Sequence, residues 1–209
     1  MSEEQFIIVS REQIRGHWTK LTFEDGSEIN IDRDVLLESE YVTENALTAE
    51  QLSALLASSS KRRAMNKAFW LLSKRDYSEK ELKDKLYKEA DAETICVVLE
   101  YLKDRGYIDD ESYAKRHAED YKEFRHYPSR RIVEKLCEKG ICRETAKIIV
   151  EEMTTDDEAS AIALLHKKCY TQSMDLPSRQ KLQNYLVRQG FSYDVIHSAM
   201  RRIDNGEDV

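Results

Sequence analysis

The stretch YLKDRGYIDDESYA, Tyr101–Ala114, places a leucine four residues before a glycine and an aromatic residue directly after it. The same spacing returns at Leu136–Gly140–Ile141 and at Leu186–Gly190–Phe191, so three of the chain's six glycines sit in one pattern. Glycine lacks a Cβ and enters the left-handed conformation that ends a helix, after which the next side chain folds back onto the last turn. The pattern therefore predicts three helix ends, with Leu102 against Tyr107, Leu136 against Ile141 and Leu186 against Phe191. Matching flanks around three copies predict an internal repeat of helix, tight turn and helix.

Residues 61–209 read as helical throughout. Ala64, Ala68, Leu71 and Leu72 form one stripe. YSEKELKDKL opens with Ser78 as N-cap and Glu81 three residues on, a capping box. Asp91 caps the next helix. Asp109-Asp110-Glu111 falls at a helix start, where acidic side chains suit the dipole. Thr155 and Glu158 predict another capping box. The middle helices YSEKELKDKL, YPSRRIVEKL and LPSRQKLQNYL begin alike, the third with one extra residue before its core positions. Three helices in each of three units is the coherent parse. The boundaries are 1–47 for an N-terminal extension and 48–108, 109–153 and 154–209 for the three-helix repeats. The fold class is all-α apart from that extension.

HWTKLTFEDGSEINI alternates apolar and polar residues around Asp25-Gly26, which predicts a β-hairpin. Leu21 and Phe23 share a face with Ile29 and Ile31 only across a three-residue loop, Glu24-Asp25-Gly26, with Gly26 left-handed. Phe6–Ser10 is a candidate third strand. Thr48 begins a helix.

With 209 residues, 35% of them charged, and two prolines, the chain favours an array of small helical modules. The net charge is −7, yet residues 61–88 hold ten Lys or Arg against four Asp or Glu, whereas 1–60 hold four against twelve. No apolar run is long enough to span a bilayer, and the start lacks a signal-peptide pattern, so a cytoplasmic location is expected. Cys96, Cys137, Cys142 and Cys169 form no C-x-x-C pair and are expected to be buried thiols in a reducing compartment. No glycine-rich phosphate loop or G-x-S-x-G motif is present. His117 and Asp120 stand three apart, but an exposed helical pair is favoured over a metal site. No catalytic residue, cofactor or metal is therefore expected.

LLSKRDYSEKELKDKL, VVLEYLKDRGYIDDESYAKRHAED and PSRRIVEKLCEKGI resemble the core of the RecX regulatory proteins. The resemblance covers roughly residues 60–203, with FSYDVIHSAMRR fitting the last unit. It implies three tandem three-helix modules in an elongated, curved array. It also implies a non-catalytic role: binding along the RecA filament on single-stranded DNA and damping filament growth, ATP hydrolysis and strand exchange. A monomer is expected.

The basic residues are the candidates for that contact: Arg62, Arg63, Lys74, Arg75, Arg130, Arg131 and Arg188. Arg130 and Arg131 begin a helix, where positive charge opposes the dipole unless an anionic group lies nearby. That group could be a neighbouring acidic helix, a partner's carboxylates or a phosphate; a solvated face is the plainer reading. Tyr77, Tyr107, Tyr113, Tyr121 and Tyr127 read as half-buried rims. The alternative function is a helix–turn–helix nucleic-acid-binding module. The last helices of the second and third units, RETAKIIVEEM and SYDVIHSAMRRI, lack the Lys/Arg and Asn/Gln edge that a reading helix needs. Direct binding to single-stranded DNA is expected to be weak.

Overall fold

The computed structural model describes residues 5–153 and 156–207, in two compact units, Met1–Ile108 and Asp109–Val209.

The first unit begins with a four-stranded antiparallel sheet in the order β3-β2-β1-β4: β1 Gln5–Ile14, β2 Trp18–Phe23, β3 Glu28–Asp32 and β4 Ala46–Thr48. The β2–β3 hairpin has the expected loop. Phe23 N–H donates to Ser27 O at 2.9 Å, Gly26 N–H donates to Phe23 O at 3.0 Å, and Gly26 has φ +82°. Leu21 consequently pairs with Ile29 and Thr19 with Ile31. The candidate third strand is real and longer than expected. The short β4, which pairs with Gln5, Phe6 and Ile7, was not foreseen.

One face of the sheet packs Leu21, Phe23 and Ile31 against Leu36 of α1 (Arg33–Glu38) and against Leu52 and Leu55 of α2 (Ala49–Leu72). Helix α2 starts in a Thr48/Gln51 capping box and runs unbroken for 24 residues through Ser58-Ser59-Ser60. Serines normally compete with a helical backbone. Here Ser59 is buried with its Oγ accepting Asp32 N–H at 2.8 Å, and Ser60 Oγ donates back to Leu56 O at 2.9 Å. The second half of α2 joins α3 (Glu79–Leu86) and α4 (Ala92–Asp104) around Ala64, Ala68, Leu71, Leu82, Leu86, Ile95, Val98 and Leu102.

The second unit holds two more three-helix modules. Helices α5 (Asp110–Glu123), α6 (Ser129–Glu138) and α7 (Arg143–Glu152) enclose Tyr113, Ala118, Ile132, Leu136, Ile141 and Ile149. Helices α8 (Asp157–Lys167), α9 (Leu176–Gln189) and α10 (Tyr193–Asn205) enclose Leu164, Leu165, Leu186, Phe191, Ile196 and Met200.

All three glycines of the opening pattern are left-handed, with φ +71°, +97° and +100° at Gly106, Gly140 and Gly190. The N–H after each donates five residues back: Tyr107 to Leu102 O at 2.8 Å, Ile141 to Leu136 O at 3.1 Å, and Phe191 to Leu186 O at 3.2 Å. These are Schellman caps, each satisfying carbonyls that a helix end leaves open.

The copies are not equivalent within the repeat, however. Gly140 and Gly190 end the middle helices α6 and α9, whereas Gly106 ends α4, the last helix of its module. Its structural counterpart is Gly206 after α10, where Glu207 N–H donates to Arg202 O at 3.0 Å. The difference shows in the side chains. Ile141 and Phe191 are buried, but Tyr107 is 53% exposed and meets Phe69 edge-on at 5.1 Å. Ile108 enters the core in its place. The same cap recurs without glycine at Cys169 (φ +55°), with Tyr170 N–H donating to Leu165 O at 3.0 Å.

Three further expectations change. Cys96, Cys142 and Cys169 are exposed and Cys137 is half-buried, because each lies on the outer side of its helix or in a turn. Tyr113 is a core residue rather than a rim. Thr155 lies outside the described residues, and α8 is capped by Asp156, whose carboxylate accepts from Glu158 N–H at 2.9 Å and Ala159 N–H at 3.0 Å. Ser78, Asp91 and Asp109 cap α3, α4 and α5 as expected.

Candidate partner-binding surface

The candidate basic residues divide between the two units. In the first, Arg62 is enclosed by carboxylates from both ends of the short α1 and from its N-cap. Its guanidinium lies 3.0 Å from Asp34, 3.0 Å from Glu38 and 3.6 Å from Asp32. The hydrogen bond to Glu38, aided by the three negative charges, holds its pKa above the ordinary arginine value. Asp32 is itself buried and caps α1 through the N–H groups of Asp34 and Val35. Arg62 thus ties α2 to α1. Its neighbour Arg63 stands 5.2 Å from the Trp18 ring, and its Nε is buried with no hydrogen-bond partner among the described residues.

Lys74 and Arg75 follow α2. Lys74 lies 5.9 Å from the exposed Trp70 ring, which Lys67 approaches to 4.6 Å from the preceding turn. Arg75 packs its guanidinium 3.7 Å from the Tyr77 ring centre and reaches Glu81 at 3.1 Å. That stacked, paired geometry fixes the turn between α2 and α3.

In the second unit the start of α6 is built unlike those of α3 and α9. Pro128 occupies its N-cap and cannot supply a capping oxygen, where α3 has Ser78 and α9 has Asp175, and the first turn of α6, like that of α9, has no acidic residue. The missing carboxylate comes from α8: Asp157 Oδ1 accepts from Ser129 N–H at 2.8 Å and from Ser129 Oγ–H at 2.7 Å. A neighbouring acidic helix thus brings a carboxylate to the start of α6, bonded to Ser129 rather than to Arg130 or Arg131.

Arg131 turns inward. It lies 4.3 Å from the Tyr127 ring and donates to Arg188 O at 3.1 Å and Gln189 Oε1 at 2.7 Å. A cation thus closes the carbonyl end of α9, where the dipole is negative. Gly190 fits beside it, since a Cβ there would lie 3.5 Å from both Arg131 Cβ and Pro128 Cγ.

Arg130 is the outward member of the pair. Its side chain is 82% exposed and meets Glu134 at 3.1 Å, an exposed i,i+4 pair of small energetic weight. Arg188 is exposed, and its guanidinium makes no hydrogen bond or ion pair among the described residues. Arg62, Arg75 and Arg131 are therefore engaged within the chain, while Lys74, Arg130 and Arg188 point outward. Sequence reasoning missed Asp157 and Gln189, whose partners lie 28 and 58 residues away. The acidic run Asp156-Asp157-Glu158 was the available signal, but it reads as dipole chemistry for α8 alone.

His117 packs between the rings of Tyr113 at 4.3 Å and Tyr121 at 6.0 Å. Among the described residues no group of three His, Cys, Asp or Glu is placed to hold a metal ion, and no helix is long and apolar enough to cross a membrane.

The family description of the first three-helix domain of RecX matches residues 64–102, and that of the third three-helix domain matches residues 156–200. Regulatory protein RecX of Clostridioides difficile is 30% identical over 167 residues, spanning 78% of this chain and 79% of the relative. The RecX of Listeria welshimeri is 28% identical over 184 residues, spanning 86% of this chain and 68% of the relative. A crystal structure of regulatory protein RecX superposes with a TM-score of 0.62 at 22% identity, covering 92% of this chain and 97% of the other. RecX from Lactobacillus salivarius gives 0.60 at 23% identity, covering 70% and 97%. Two matched three-helix domains, the shared fold and the similarity along most of the chain lead to one conclusion: this chain belongs to the RecX family of regulatory proteins.

Proposed function

We propose that this protein binds the RecA filament on single-stranded DNA and restrains its growth, ATP hydrolysis and strand exchange, acting as a cytoplasmic monomer without catalysis of its own. The observation that carries this reading is the 30% identity to a RecX regulatory protein over 167 residues. The charge pattern supports a protein lattice over bare nucleic acid as the partner. The exposed side of α7 alternates Arg143, Glu144, Lys147 and Glu151, and that of α10 presents Tyr193, Asp194, His197 and Arg201. Carboxylates interleaved with cations oppose a phosphate backbone but suit a protein surface of mixed charge. Lys74, Arg130 and Arg188 are the proposed contact residues, and Arg63 contributes the cationic edge beside Trp18.

Co-sedimentation with RecA filaments assembled on single-stranded DNA tests the reading, with the same DNA lacking RecA as control. The protein is expected to pellet with the filament and to lower its DNA-dependent ATPase. Recovery from DNA alone to the same extent, with no effect on the ATPase, overturns it.

A further inference from the structure

The three modules can be superposed by their buried positions. Leu86, Leu136 and Leu186 match in the middle helices; Ile95, Ala146 and Ile196, and then Leu99, Val150 and Met200, match in the last helices. This internal alignment separates what the fold requires from what one module carries alone.

In the second module, a groove of about 620 Å³ runs between α6 and α7. Its floor includes Val133 and Val150, and Arg130, Arg143 and Lys147 stand around it. At the positions of Val133, Arg143 and Lys147, the first module has Lys83, Ala92 and Cys96, and the third has Gln183, Tyr193 and His197. The combination of Val133 with Arg143 and Lys147 is thus peculiar to the second module, whereas the position of Val150 is apolar in all three (Leu99, Met200) and that of Arg130 is basic in the first as well (Lys80). Arg143 and Lys147 are exposed and make no ion pair among the described residues. Ile148, next to Lys147 on α7, is 55% exposed.

We propose that this groove is the docking site for an acidic amphipathic helix of a partner protein. A helix laid into a groove offers apolar side chains at i, i+3 or i+4, and i+7, and polar residues on its flanks. The valine floor accepts the first set. Arg143 and Lys147 complement carboxylates on the second, Arg130 being paired with Glu134, and exposed charges of this kind chiefly steer and orient a partner. Nucleic acid fits less well, because a continuous run of phosphates would meet Glu134 and Glu151, which also border the groove, whereas a helix can place its carboxylates against Arg143 and Lys147 alone. The proposal rests on the reading of the protein as a regulator that works by protein contact, and it names the chemistry of one contact.

The test uses the full chain with labelled valine methyl groups. The probe is a synthetic helical peptide of about 15 residues with leucines on one face and glutamates flanking them. Matched peptides carry lysine for glutamate or serine for leucine, and an oligothymidylate is titrated in parallel. The Leu/Glu peptide is expected to shift the Val133 and Val150 methyl signals. Both matched peptides are expected to bind about tenfold more weakly or worse, as is the Leu/Glu peptide to an Arg143→Glu/Lys147→Glu variant with unchanged circular dichroism. Silent valine methyls, equal binding by the serine peptide, or the same shifts with oligothymidylate would each overturn the proposal. Filament co-sedimentation of the same samples separates the two readings. Wild-type protein that pellets with filaments while its valines stay silent to the peptide removes the groove and leaves the regulator. Valines that respond in a protein that ignores filaments do the reverse.

Discussion

Asp157 in the first turn of α8 serves as the N-terminal cap of α6, accepting from both the backbone N–H and the hydroxyl of Ser129 at 2.8 and 2.7 Å. A helix whose own N-cap is proline thus depends on the next module for its first hydrogen bonds. Asp157→Ala should destabilise the protein by about 1–2 kcal/mol, the usual cost of losing a capping side chain. Urea denaturation followed by circular dichroism measures this, and an unchanged midpoint would refute the role.

Arg131 and Arg130 are adjacent but should behave oppositely. Arg131→Ala removes the bonds to Arg188 O and Gln189 and the contact with Tyr127, and should cost about 1 kcal/mol or more. Arg130→Ala should leave stability within about 0.5 kcal/mol, because an exposed i,i+4 pair contributes little. Arg130→Glu should instead weaken inhibition of the RecA ATPase. Full inhibition by the folded variant would remove Arg130 from the contact surface.

The Schellman caps yield a pair of predictions with opposite signs. Gly140, at φ +97°, should tolerate asparagine better than valine, and Gly140→Val should cost about 1–2 kcal/mol, because a β-branched residue resists the left-handed region. Cys169 already bears that strain at φ +55° and is exposed, so Cys169→Gly should stabilise by about 0.5–1 kcal/mol. Thermal melts of both variants decide the matter.

Acid should loosen the helix starts first. Bonding from Thr94 holds the Asp91 carboxyl below its ordinary value, the Ser112 hydroxyl does so for Asp109, and Ser178 does so for Asp175. A folded pKa depressed below the unfolded one gives stability that is complete above the unfolded value of 3.8 and is lost as the pH falls through the folded value. The acid limb of the stability profile should therefore flatten in an Asp91→Asn/Asp109→Asn variant. An identical limb would show that these caps do not report on folding.

The balance of charge bears on salt. With a net charge of −7, retention on bare single-stranded DNA should vanish by near-physiological salt, while retention on RecA filaments persists. Side-by-side salt titrations measure both. Parallel loss from the two lattices would give the interaction to DNA phosphates.

Local chemistry was the legible part of this chain. The parity of Leu21, Phe23, Ile29 and Ile31 determined the hairpin loop, and side-chain caps at Ser78, Asp91 and Asp109 marked helix starts, because each depends on residues within a few positions. The Schellman pattern was also local, which is why it misled about the repeat: any helix can end that way, so Gly106 resembled Gly140 while closing a different helix. Strand β4, three residues long, carries too little alternation to be seen. The positive start of α6 looked unfavourable because both compensations arrive from far along the chain, Asp157 for Ser129 and the end of α9 for Arg131. The α6–α7 groove joins side chains on two helices, and only the fold brings Val133 beside Val150.

Helix α2 gives the first unit a mechanical property. Its 24 residues make a rod about 36 Å long, with Leu52 and Leu55 clamped beneath the sheet and Ala64, Ala68 and Leu71 held in the first helical core. A twist applied at the sheet travels to Leu71 through an unbroken ladder of backbone hydrogen bonds, with Arg62 and its carboxylates bracing the rod midway. Amide protons of β2 and of α4 should then exchange with a common opening free energy, as parts of one cooperative body rather than as an appendage and a domain.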